Sequence, residues 1–411
     1  MRVFWEAIFF IVFFKISLFY GSLYLALGVG AAFSGLAVIN SRLRRAVFFG
    51  LGHLFYALLW LLLIQSVWWD TLTLESVHEF DVSFVVRTLS LIGMSVIPGV
   101  TIGVLYVQNS TERLRKIVLD AFVVQFLFWA VTFLWPEDVK VFLYHLMGQS
   151  SVNLRPYNLE VRGFGLSNGV NYMSPVMMVI VSVMVLGYRG VTVMTMVTQL
   201  VNSNLVAVGI FLSVFFRRIN PGRVVFAIFG VSAVVLLFGQ MVFRRFFAEL
   251  QSGGLRTVTA LVNRHIFFNN DGVLQHIFGS GEIVYGGAAE RMSDIGWVIM
   301  YNYGGALFVL LFFLLIGWLC IRAFGFNRVA LMWLVLGVVL NTKGMAYGPN
   351  IYFFMSSLLA GCRWSGFDVL RMTGLGDAGT RPRGFGRSGT LRKRSRERIN
   401  EVFAGGSSEA G

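Results

Sequence analysis

Charged side chains are scarce in this chain. Asp, Glu, Lys and Arg make up 13% of 411 residues, against 56% hydrophobic ones. A water-soluble domain with that balance would expose large apolar patches and aggregate, so an ordinary soluble fold is excluded. Cysteine is scarcer still. The two present, Cys320 and Cys362, fall near the ends of predicted spans on one side, which argues against disulfide stapling and a cysteine metal site. The five histidines, His53, His78, His145, His265 and His276, include no pair at a helical ligand spacing. Nothing in the chain therefore calls for a metal or another cofactor. HExxH, Walker A and nucleophile-elbow motifs are missing as well, which rules out the ATP-driven classes within this chain.

What the chain has is apolar runs of membrane-spanning length. They predict an all-α polytopic integral membrane protein of about 12 transmembrane helices. The spans fall near 4–20, 22–38, 46–68, 83–107, 117–135, 173–188, 191–202, 204–216, 224–243, 295–320, 329–342 and 350–362. The first pair reads equally as one long bent helix. The 191–216 region, broken by "NSN" at 202–204, reads equally as one span and a re-entrant turn. Glu6 and Lys15 interrupt the first apolar run and no small-residue cleavage site follows, so a retained first span is expected rather than a signal peptide.

Charge sets the expected orientation. One set of short loops carries twelve basic residues, from Arg42 to Arg328, with Glu112 as its only acid. The alternate loop at 69–82, "WDTLTLESVHEFDV", has four acids and no Lys or Arg. The positive-inside rule then places the basic loops and both termini in the cytoplasm. The helical domain is expected over 1–362, with long outer loops at about 136–172 and 244–294. From Arg363 to the end, ten basic and five acidic residues lie among Gly and Ser without apolar periodicity. That tail, 363–411, is expected to lack fixed structure and to rest on anionic lipid rather than on nucleic acid.

The outer loops break the charge rule. The first holds Arg155 and Arg162, and the second holds Arg244, Arg245, Arg256, Arg264 and Arg291. Arginine grips phosphate and carboxylate through two parallel N–H donors and keeps its charge, so a bound anion is one account of this excess. A blander account competes with it. Arg244 and Arg245 follow a span and are placed to snorkel, and Arg256 is placed to pair with Glu249. Glu6, Lys15, Arg87, Asp120 and Lys343 fall within or at the ends of predicted spans, too few acids for a proton relay.

Two stretches resemble the O-antigen polymerase family (Wzy type) and the wider superfamily that includes O-antigen ligases. "VRGFGLSNGVNYMSP", 161–175, is similar to the family's Arg-x-x-Gly element before a span, with Arg162 and Gly165 on the matching positions. The stretch 263–305 is similar to a second-loop element, with Arg264, Gly279, Gly281, Asp294 and Gly304 on its positions. Related ligases tend to carry His-Asn where this chain has Ser293-Asp294, so a ligase is the weaker match.

The resemblance implies a C-type glycosyltransferase-like helical fold in the bacterial inner membrane, with a periplasmic site. It implies inverting polymerisation of undecaprenyl-pyrophosphate-linked repeat units, with both donor and acceptor lipid-linked and no metal. A chain-length regulator and a repeat-unit flippase are the partners it implies, besides membrane lipids. Asp294 is then the first candidate for the base, with Glu290 and His265 behind it. Arg162, Arg264, Arg291, Arg155, Arg256 and Arg245 are the candidates for the pyrophosphate. Asp294 serves equally as a helix cap beside Ser293. The competing functions are an O-antigen ligase and a lipid-linked oligosaccharide flippase. A flippase should show paired repeats, and none is seen between 1–216 and 217–362.

Removing residues 381–411 is expected to leave polymer synthesis largely intact in a complementation assay. Complete loss at normal expression would give the basic tail a role in the reaction.

Overall fold

The computed structural model describes residues 2–18, 23–48, 83–146, 165, 173–203, 205–217, 264–268, 272–281, 293–342 and 347–375, with scattered positions between 222 and 239. Most of the expected spans 46–68 and 224–243, most of both long loops, and Lys343 lie outside them.

Predominantly apolar stretches form most of the helices of the described chain. In order these are α1 (Arg2–Phe14), α2 (Leu25–Ile39), α3 (Ser41–Phe48), α4 (Ser83–Leu91), α5 (Ile97–Ile102), α6 (Thr111–Leu134) and α7 (Glu137–Leu146). They continue with α8 (Met173–Leu186), α9 (Gly190–Asn202), α10 (Val206–Ser213), α11 (Val273–Phe278), α12 (Gly296–Phe324), α13 (Arg328–Leu340), α14 (Ile351–Trp364) and α15 (Val369–Thr373). Helix starts carry the side chains that satisfy first-turn amides. Ser110 accepts from Arg113 N–H, Asn327 from Val329 and Ala330, and Asn350 from Phe353.

Among the described residues, three apolar helices are long enough to cross a membrane: Val86–Val107, Thr111–Leu134 and Gly296–Phe324. Counting α2 and α3 as one span bent by 112° makes four. The chain is thus a mostly helical protein of membrane type, and the expected count of about 12 spans goes beyond these. α1 and α2 are not one bent helix. Lys15, in a left-handed conformation (φ 52°), ends α1, and a two-residue ladder pairs Ser17–Leu18 with Leu23–Tyr24. The break at 202–204 is real: α9 stops at Asn202, whose amide oxygen accepts from Trp129 Nε1–H at 3.4 Å.

Two helices form the centre. Every residue of α8 from Pro175 to Leu186, and of α14 from Ile351 to Cys362, is buried. A helix apolar on all sides can only be accommodated inside a bundle. Around them the outer helices turn large side chains outward, Leu127 on α6 and Leu310 and Leu314 on α12 among them. α14 meets Ile97–Val107 through small residues. A Cβ on Gly361 would come within 2.6 Å of Val100 O, and one on Gly99 within 2.6 Å of Phe354 O. Close backbone approach through small residues is how apolar helices associate when lipid competes for their side chains. Two π turns, Ile92–Val96 and Gly103–Val107, flank that contact.

Arginine fastens helix ends on the side that the charge pattern assigns to the cytoplasm. The Arg217 guanidinium donates to Val183, Met184 and Val185 O at the end of α8, and that of Arg363 to Ile321 and Arg322 O at the end of α12. Met184, Val185 and Arg322 O are among the last carbonyls of their helices, Val183 and Ile321 O also accept from Gly187 and Gly325 N–H, and a cation offsets the negative end of the helix dipole. Arg2 pairs with Glu6 and Asp120, which gives both acids a structural role. Cys320 and Cys362 are free and buried. The fold also runs past the expected boundary at 362: Asp368 caps α15, and Val369, Met372 and Thr373 are buried. The first compact unit reaches Leu375.

Gly361→Val should lower the melting temperature of the purified protein in detergent, reflecting about 1–3 kcal/mol of overpacking. Gly317→Val, where a Cβ would meet nothing within 4 Å, is the control and should melt as the native chain does.

Candidate functional site

Among the described residues, the sequence candidates that come together do so at the start of α12. Its N-terminus is set by Ser293, fully buried, whose hydroxyl donates to His265 O at 2.7 Å and accepts from Ile295 N–H at 3.1 Å. One serine therefore joins the 264–268 segment to the first turn of α12, across 28 residues of chain. Neither Ser293 nor Asp294 caps α12, whose N-cap Ile295 has no side-chain cap bond, and the Asp294 carboxylate is left 63% exposed.

His265 lies directly against Asp294. The Asp294 backbone N–H donates to His265 Nδ1 at 3.1 Å. An amide can only donate, so Nδ1 carries no proton, and the neutral ring holds its hydrogen on Nε2. Nε2 stands 3.9 Å from Asp294 Oδ2. The ring is thus held on one side by the backbone and lies beside the carboxylate, beyond hydrogen-bond reach of it. Arg264, the preceding residue, is exposed.

The second contact between loop and helix is made by backbone. α12 is interrupted at Gly305 (φ 64°, ψ −165°), so carbonyls just before it lose their partners one turn on. Two are taken by the loop: Ser280 N–H donates to Asn302 O at 2.8 Å, and Gly281 N–H to Tyr303 O at 3.0 Å. Ser280 Oγ adds a bond to Asn302 O at 2.9 Å, while the Asn302 amide donates to Phe267 O at 3.1 Å. Gly279 (φ 86°) and Gly305 have no room for a Cβ, which would run into Tyr303 O and Ile277 O respectively. Gly281 has a positive φ of 72°, and a Cβ on Gly304 would strike the Phe308 side chain. Gly279 of the motif therefore docks against Gly305, Gly281 joins through its N–H, and Gly304 packs on Phe308 of its own helix.

Gly165 belongs to a different place. It is buried with φ 60°, donates its N–H to Thr132 Oγ1 on α6 at 3.1 Å, and leaves no space between itself and Gln125. Glu290, Arg162, Arg291, Arg155, Arg256 and Arg245 lie outside the described residues. Sequence reasoning missed Ser293 as a clamp, Asn302, and the His276 Nδ1–Tyr301 OH bond of 2.8 Å beside the same helix. Each joins residues more than 20 positions apart, so no local spacing could have shown it. Among the described residues no three His, Cys, Asp or Glu side chains gather as metal ligands.

Gly305→Ala should strain the break and push α11 away from α12. Amide hydrogen exchange at Ser280 and Gly281 is expected to rise well above that of the native chain; unchanged protection would show that the break does not hold the loop. The chain matches no protein-family model, no curated protein and no solved structure.

Proposed function

We propose that this chain is a polymerase of lipid-linked oligosaccharide repeats, joining undecaprenyl-pyrophosphate-linked units at the periplasmic face of the bacterial inner membrane. The reading takes the likeness of 161–175 and 263–305 to the O-antigen polymerase family as its starting point. It includes the full complement of about 12 spans, a C-type glycosyltransferase-like bundle, cytoplasmic termini, and a chain-length regulator and flippase as partners.

The single observation that supports it is the His265–Asp294 pair at the head of α12, with an arginine adjoining. The roles divide by chemistry. Asp294 offers an exposed carboxylate with one oxygen turned from the imidazole, suited to take the proton of the acceptor sugar hydroxyl. His265 has no free lone pair, because its Nδ1 already accepts from the Asp294 amide, so it lies beside the carboxylate instead of serving as the base. The hydroxyl oxygen bonds to the anomeric carbon of the donor as the bond from that carbon to the pyrophosphate oxygen breaks on the opposite face. The proton goes to Asp294, and undecaprenyl pyrophosphate departs with the electron pair. Arg264, with Arg162 as its expected companion, neutralises the departing charge.

Asp294→Asn keeps the shape and removes the base, so turnover should fall by about 10²–10⁴-fold with less change in substrate binding. An unchanged rate would end the assignment. Arg264→Ala and Arg162→Ala should each abolish long polymer at normal protein level, and normal ladders in both would overturn the pyrophosphate role. A deletion strain separates the function classes: single repeats on the surface fit a polymerase, unattached free polymer a ligase, and repeats trapped on the inner leaflet a flippase.

A further inference from the structure

α12 is too long for one crossing of a hydrocarbon layer. Its 29 residues divide at Gly305 into Gly296–Gly304 and a second piece ending at Phe324. The second piece, 306–324, would be roughly 28 Å long, close to the ≈ 30 Å apolar core of a bilayer. It also carries the outward-facing Leu310, Phe313 and Leu314 (55%, 42% and 59% exposed). The first piece carries Asn302 and Tyr301 and is the part that the 264–281 loop grips.

That loop has an apolar outer side. On α11, Val273, Leu274 and Ile277 are 76%, 49% and 42% exposed, and Ile266 and Phe268 beside it are 46% and 56% exposed. A soluble loop rarely leaves five such side chains in one place, and here they lie alongside the break where the lipid-facing surface of α12 begins. Ser280 and Gly281 N–H are bonded to Asn302 O and Tyr303 O, and His276 and Gly279 N–H to Gly272 O and Gln275 O, so these four amides can approach hydrocarbon without being stranded.

We propose that residues 272–281 form a foot seated in the lipid boundary of the leaflet remote from Arg322, with Val273, Leu274 and Ile277 among the acyl chains and Gly305 marking the edge of the hydrocarbon. The occupant of this face is bilayer lipid. Gly296–Gly304 then rises at most roughly 13 Å above that edge. This carries the His265–Asp294 pair through the headgroup layer into water, in keeping with the exposed carboxylate. The inference needs only that α12 crosses a membrane and stands whether or not the chain is a polymerase.

The test uses Val273→Cys, Leu274→Cys and Ile277→Cys in the full chain, spin-labelled singly and reconstituted in phosphatidylethanolamine–phosphatidylglycerol vesicles. Cys320 and Cys362 are buried and stay unlabelled. Power saturation should show access to oxygen severalfold above access to a water-soluble nickel chelate at all three sites. Leu310→Cys should lie deeper, and Asn109→Cys, at an exposed turn, should show the reverse preference. Three foot labels as open to nickel as Asn109 would overturn the proposal, and labels closed to both reagents would replace lipid with protein as the occupant. Nickel access at Leu310 as well would overturn the crossing by α12 itself. Three separate positions keep the result readable if one variant fails to fold.

Discussion

The break in α12 at Gly305 is the constraint on which the rest of the site depends. A continuous helix uses every interior carbonyl one turn on, and leaves its side wall with no backbone to offer. By reversing φ at one residue, α12 frees Asn302 O and Tyr303 O, and Ser280 and Gly281 take them. A loop that could not otherwise be held against an apolar helix gains two direct backbone bonds. Glycine is required on both sides of the contact, since Gly279 and Gly305 each meet backbone where a Cβ would stand. The motif glycines are thus a mutual fit of loop and span, with no need to touch any ligand.

Holding the loop there has a chemical consequence. The docked segment returns His265 to the head of the same helix, where Ser293 takes its carbonyl and the Asp294 amide takes its Nδ1. The Ser293 hydroxyl and the Asp294 N–H, just before α12, therefore hold one residue of a remote segment. The imidazole gains a defined tautomer, and the carboxylate beside it remains in water. On the proposed reading, an imidazole held by an amide beside an exposed carboxylate suits a proton acceptor next to a charged leaving group.

Much of the helical frame was legible beforehand because apolar length is a strong signal. The runs at 173–188, 329–342 and 350–362 correspond to α8, α13 and α14 within a few residues. The glycines at 279 and 281 also stood out, although their use as packing surface did not. Three features were not legible. The hairpin after Lys15 rests on two residues per strand, too few for any alternation to show. The fold beyond 362 was hidden by the basic composition of the tail, since a five-residue helix capped by Asp368 carries little periodicity. The division of labour between His265 and Asp294 depends on which atom of the ring meets an amide, a fact of tertiary geometry.

Arginine shows why residue type alone misleads in a membrane protein. An excess at outer loops drew attention as an anion site, yet Arg217 and Arg363 spend their donors on carbonyls of the last turns of α8 and α12. Guanidinium suits both tasks for one reason: it keeps its charge and spreads several donors across a plane. What separates the uses is the partner within reach. At a helix C-terminus the protein supplies oxygen and the negative end of a dipole, so the cation is consumed in holding the fold. Arg264 stands at the opposite end of α12, beside a helix N-terminus whose own dipole is positive. A cation gains nothing from its helix there, and the exposed Arg264 is the group that the proposed function assigns to the departing pyrophosphate.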